Sequence, residues 1–171
     1  MDMTTIRFAS CVRILPVMLL VAAGGCEQAH DDDHHEIDEE LCEHMTDGPS
    51  IEVAAVPAGD SGAPEVDMAH HRYDIDLTGA ADTPVDVAFP SSQASEYRVA
   101  LGSDVPFQVL DATGTVVAIE ESLRSGFDCS DVAVIHLVDL GISTYRLRFG
   151  PTDETQVRVV LEAAGSHDHD W

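Results

Sequence analysis

The 171-residue sequence contains no lysine; its eight basic residues are all arginine, set against 32 aspartates and glutamates. With a formal charge of -24, the chain lacks the basic surface that phosphate binding requires. That excludes an electrostatic nucleic-acid binder and attraction to anionic lipid through charge alone. Also missing is an apolar run of about 20 residues, the length an ordinary membrane-spanning helix needs. There is no glycine-rich phosphate loop, no Gly-x-Ser-x-Gly elbow and no His-Glu-x-x-His helix. The acids are too numerous for any pair to single itself out as general acid and base. The chain therefore reads as a non-enzymatic protein. Its hydrophobic share of 44% suits one globular domain and argues against wholesale disorder.

The N-terminus carries an address rather than a fold. Arg7 and Arg13 supply a basic lead, Ile14 to Gly25 is uncharged, and Cys26 follows at once. Residues 1–25 read as a secretory signal peptide. The sequence Ala23-Gly24-Gly25-Cys26 resembles a bacterial lipobox, with Ala rather than the usual Leu three positions before the cysteine. The resemblance implies cleavage before Cys26 and acylation of its thiol. A lipid anchor supplies membrane affinity without any basic patch. Glu27 differs from the aspartate that retains such lipoproteins at the inner membrane. The expected location is the outer membrane, on its periplasmic or cell-surface side. Removal of Asp2, Arg7 and Arg13 leaves 31 acids against 6 arginines.

Residues 26–49 form an acidic, histidine-bearing tether. Charge repulsion and scarce apolar surface favour flexibility there. Ile37, Leu41 and Met45 recur every four residues, which predicts a short helix over 36–45, stopped by Gly48-Pro49. Its apolar stripe is a packing face. After a Gly- and Pro-rich loop at 57–64, the period changes to two. Tyr73, Ile75 and Leu77 alternate with Arg72, Asp74 and Asp76; Val85, Val87 and Phe89, and Tyr97, Val99 and Leu101, repeat the pattern. Further strands are expected at 107–109, 116–119, 132–140, 144–149 and 155–161. Strands that each bury one face require two packed sheets. The predicted fold is all-β, a sandwich of about eight strands over residues 50–163 with a flexible tail at 164–171. The short gap between Leu140 and Thr144 predicts a hairpin. Arg146, Arg148 and Arg158 fall on outward positions, where acids can meet them.

Three stretches carry a family resemblance. Glu96-Tyr97-Arg98-Val99 is similar to a tyrosine-then-strand element. Val105 to Gly114, VPFQVLDATG, is similar to a strand ending in an aspartate-containing turn. Leu140 to Phe149, LGISTYRLRF, is similar to a glycine, tyrosine, strand element, and Gln156 to Leu161 would be the last strand. Residues 73–161 thus resemble the bacterial pre-peptidase C-terminal domain. The resemblance implies a jelly-roll-like sandwich that serves as a non-catalytic accessory module on exported proteins.

Of four cysteines, Cys11 lies in the leader and Cys26 is the lipidation site. In an oxidising compartment Cys42 and Cys129 are left to pair, closing a loop of about ninety residues. The alternative is a Cys42 thiolate acting as a ligand beside His44. Histidines bind Zn, Cu or Ni, and neighbouring carboxylates attract the cation. His34 and His35 in the tether, and His167 and His169 in the tail, form loose, entropically costly sites. A more organised site would join His44, His70 or His71, and His136, drawn together by the disulfide. Calcium fits less well, since no twelve-residue calcium loop is present. The sequence therefore predicts an exported lipoprotein that binds a transition metal through histidines. The alternative is a cell-envelope structural or protein-interaction module without a metal.

Overall fold

Alternating β-branched and aromatic residues supply strands with one apolar face, and those faces meet between two sheets. The computed structural model describes residues 32–124 and 129–164, with side chains from Glu39 onward. The leader, Cys26, and the tail histidines His167 and His169 lie outside the described residues. So does the tether before residue 32. The chain begins with α1 (Asp32–Asp47) and continues through eleven strands. These are β1 (Ser50–Ala54), β2 (Val56–Pro57), β3 (Arg72–Asp76), β4 (Val85–Ser91), β5 (Ser95–Leu101) and β6 (Phe107–Leu110). Then come β7 (Val116–Val117), β8 (Glu121–Leu123), β9 (Val134–Leu140), β10 (Ser143–Phe149) and β11 (Gln156–Ala163).

One sheet runs β1-β3-β11-β5-β9-β8 and the other β2-β4-β10-β6-β7. The core between them holds Tyr73, Ile75, Val87, Phe89, Val99, Leu101, Val134, Leu147, Phe149 and Val159. The fold is a two-sheet, all-β architecture, as expected, with more strands than the eight anticipated. β1, β2 and β8 are the additions. Each is short, and β1 pairs in parallel with β3, some twenty residues away in sequence, so no turn signal joins them.

The hairpin expected after Leu140 is not formed. β9 pairs with β5 and β8, whereas β10 pairs with β4 and β6. Gly141 and Ile142 instead carry the chain across from one sheet to the other. The Tyr145 hydroxyl accepts the Gly141 N–H at 2.9 Å and reaches the Gly141 carbonyl at 3.2 Å. That double contact fixes a two-residue arch in place of a same-sheet turn.

On the outer face of the second sheet sits a buried charge. Asp86 is 0% exposed and accepts from Arg148 Nε at 2.8 Å, Arg148 Nη2 at 2.9 Å and the Gly59 amide at 2.9 Å. Arg146 approaches at 3.4 Å. Burial alone would raise this carboxyl, but the hydrogen bonds from Arg148, Gly59 and Arg146, with the Arg148 charge, outweigh it and hold the group below the usual range. Two of the three outward arginines thus meet here, while Arg158 pairs with Asp131 at 3.0 Å.

The predicted 36–45 helix is longer, and it is docked. α1 lies on the outer face of the first sheet, where Leu41 and Met45 are 1% and 0% exposed against Ala100, Ile135 and Val160. Only three apolar positions at i, i+4 spacing, Ile37, Leu41 and Met45, were legible. The extension at both ends comes from acidic residues near the N-terminus, where they favour the helix dipole. At the C-terminus Arg72 Nη1 donates to the Met45 and Thr46 carbonyls at 3.2 and 3.3 Å. Gly48 closes the helix with its amide on the His44 carbonyl. A Cβ at Gly48 would lie 2.5 Å from that oxygen, so only glycine fits. Among the described residues no helix is long and apolar enough to cross a membrane.

Candidate metal centre

Docking of α1 decides which polar groups meet. Cys42 is disulfide-bonded to Cys129, with Cα atoms 5.6 Å apart, so the thiolate alternative for Cys42 does not apply. Glu40 and His44 lie two residues before and after Cys42, one helical turn apart, and so share a face of α1. That face looks toward the loop before β3 and toward the end of β11.

His70 completes the group from the loop. Its φ of 58° is the one positive value among non-glycine described residues. Histidine tolerates the left-handed region better than most side chains, yet such a conformation persists only where its surroundings enforce it. The His44 and His70 rings meet edge to face, with centroids 5.0 Å apart. His70 Nδ1 lies 3.3 Å from Glu40 Oε1. One donor atom from each of Glu40, His44 and His70 falls within 4.8 Å of the others. Neighbouring ligands in a tetrahedral zinc site stand about 3.4 Å apart, given bonds of about 2.1 Å. His70 is half-exposed and Glu40 a quarter exposed, so both have the rotamer freedom to close that gap.

Beneath them lies Glu162 of β11, its side chain 5% exposed. It shares the parity of Val160 and therefore faces the helix. His44 Nδ1 lies 2.9 Å from Glu162 Oε1; in the tautomer that carries the proton on Nδ1, this nitrogen donates to the carboxylate and Nε2 keeps its lone pair. A carboxylate on the far nitrogen of a ligand imidazole fixes its tautomer and raises its basicity. Burial pushes the Glu162 carboxyl above the ordinary range; the charges of His70 and His44 oppose this, and Glu40 adds to it. Two imidazoles and one carboxylate form a donor set suited to Zn, Cu or Ni, while hard cations such as Ca prefer oxygen alone. Glu40 and Glu162 were not singled out in the sequence. Glu40 carried a legible signal, an i, i+4 relation to His44, whereas Glu162 carried none.

The remaining histidines lie elsewhere. His71, next to His70, turns Nδ1–H back to the Ala69 carbonyl at 2.9 Å and does not join the group. His34 and His35 fall in the first turns of α1, where only the backbone is described. His136 is separated from His44 by the sheet itself. It shares its parity with Val134 and Val138, which face the core between the sheets, while α1 covers the opposite face at Ile135. The grouping of His44 and His136 assumed that nearness in the chain to the disulfide meant nearness in space. Strand parity overrides it.

His136 has its own setting. Its ring stacks on Phe107 at 5.0 Å and 14°, Nδ1 meets Ser122 Oγ at 2.8 Å, and Nε2 is buried without a partner. Burial, helped by the charge of Arg124 and opposed by Asp104, lowers its affinity for a proton. An unfolded imidazole protonates near pH 6.5, the folded one only at lower pH. Between those values the unfolded state holds more protons, so this group removes stability as pH falls below about 6.5. Thermal melts between pH 7 and 5 should show a shallower loss of Tm for His136→Phe than for the native chain; equal slopes would count against it.

Comparison of the sequence with protein-family models and with curated proteins finds no match to either.

Proposed function

We propose that this protein is an exported, lipid-anchored β-sandwich that binds a transition metal ion, Zn, Cu or Ni, without catalysis. The observation that carries the reading is the convergence of Glu40, His44 and His70 at the seam between α1 and the first sheet. Three features support it. The donor set matches these metals, Glu162 is poised to orient His44, and His70 holds a left-handed backbone at the site. The leader and Cys26 support export and acylation from sequence alone, and the jelly-roll-like accessory-module reading rests on the resemblance of residues 73–161. His34, His35, His167 and His169 would add a looser, lower-affinity reserve.

The second reading is a metal-free envelope module for structure or protein interaction. It draws on the direct contacts of His44 with Glu162 and of His70 with Glu40, which give these groups partners within the protein. Elemental analysis after native purification without a histidine-affinity step separates the two. The metal reading expects about one Zn, Cu or Ni per chain retained through gel filtration. A folded, metal-free protein that ignores added metal supports the second.

A further inference from the structure

We infer that the Cys42–Cys129 disulfide sets the affinity of the metal centre, so that thiol–disulfide exchange with a dithiol reductant releases the ion. The inference rests on the metal reading above and names the control of that same site.

The centre is split across a seam. Glu40 and His44 belong to α1, while His70 precedes β3 and Glu162 lies on β11. Cys42 sits midway between the two helical donors, and its partner Cys129 belongs to the sandwich, ahead of β9. Among the described residues this disulfide is the one covalent cross-link over the seam, and it is placed within two residues of both helical donors. Cys42 is only partly buried, whereas Cys129 is 8% exposed, so Cys42 is the more accessible half of the bridge.

Without the bridge, docking of α1 depends on weaker ties. Leu41 and Met45 are buried, Arg72 holds the last carbonyls, and Thr46 meets Asp131 through an exposed bond of 3.3 Å. Against them stand the ordering entropy of 16 residues and crowding of like charges. The helix carries eight acids and no lysine or arginine, and a helix this short is marginal alone. An ion that needs both halves of the site then binds only the docked fraction, and its apparent affinity falls by that fraction. In the exchange, a thiolate of the dithiol attacks one sulfur and the Cys42–Cys129 bond breaks. Two electrons and two protons convert the pair to thiols, and the reductant closes to its own disulfide.

The test compares Zn(II) affinity of the full chain with that of Cys42→Ser/Cys129→Ser, by competition with a chromophoric chelator. Serine removes the thiols as rival ligands. The double variant should bind about tenfold more weakly or worse, with faster amide hydrogen exchange in α1 than in β5 and β9, and zinc should restore the protection of α1. Should the variant not fold, the native protein, reduced and then alkylated with iodoacetamide, gives the same comparison. Equal affinity in both forms overturns the inference and leaves the metal reading standing. Absence of zinc binding by the oxidised chain overturns the metal reading itself.

Discussion

His70→Gly should weaken metal binding by about 100-fold, whereas His71→Ala, one residue on, should leave it within about twofold. Glycine is the apt replacement because φ is 58° at this position; it adopts that backbone at no steric cost, while alanine would add strain of its own. A loss of affinity then reports the imidazole and not a disturbed loop. Changing groups that merely support metal ligands commonly costs 10- to 100-fold, and removing a ligand belongs at or above the top of that range. Glu162→Gln should fall near tenfold, since an amide can still meet His44 but no longer stabilises it with a charge. His136→Phe should leave affinity unchanged, because its ring lies on the other side of the sheet. Chelator competition, repeated for each variant, reads all four outcomes. Equal loss from His70 and His71 variants would mean that the ion sits elsewhere.

The largest expected effect on stability lies on the opposite sheet. Asp86→Ala should cost about 3 kcal/mol, because it strands Arg148 and Arg146 and the Gly59 amide around a fully buried position. The two arginines are 23% and 30% exposed, so water recovers part of their solvation, and the cost stays below that of a wholly buried broken pair. A fall in Tm of roughly 10 °C follows for a domain of this size. Metal affinity should not change, as the site lies across the sandwich. Since this carboxyl is held low in the folded chain, its contribution is present at neutral pH. It is lost as pH drops through the ordinary carboxylate range toward the folded value. Asp86→Ala should therefore flatten the acid limb of the stability curve; thermal melts from pH 6 to 3 measure it.

The fold was readable wherever alternation was long. Tyr73 to Leu77, Tyr97 to Leu101 and Tyr145 to Phe149 each announce an inward face, and the burial of their apolar members follows. Two-residue strands such as Val56–Pro57 and Val116–Val117 carry no period at all. The pairing of Cys42 with Cys129 was legible by elimination, and the stripe of Leu41 and Met45 by spacing. The site was harder to see because it depends on which sheet face α1 covers. Parity establishes that His136 and Ile135 point opposite ways, yet it cannot say which of the two meets the helix. Glu162 illustrates the same limit: a lone acid at the end of an apolar strand looks solvated until a helix lies over it. The choice between His70 and His71 stayed open for a different reason, since a left-handed residue such as His70 departs from strand parity altogether.

Anomalous diffraction at the zinc edge, from crystals of the oxidised chain grown with one equivalent of Zn(II), tests the central claim most directly. The account predicts a peak at the α1 seam, within bonding distance of Glu40, His44 and His70. No peak there, or a peak confined to other histidines, would contradict it.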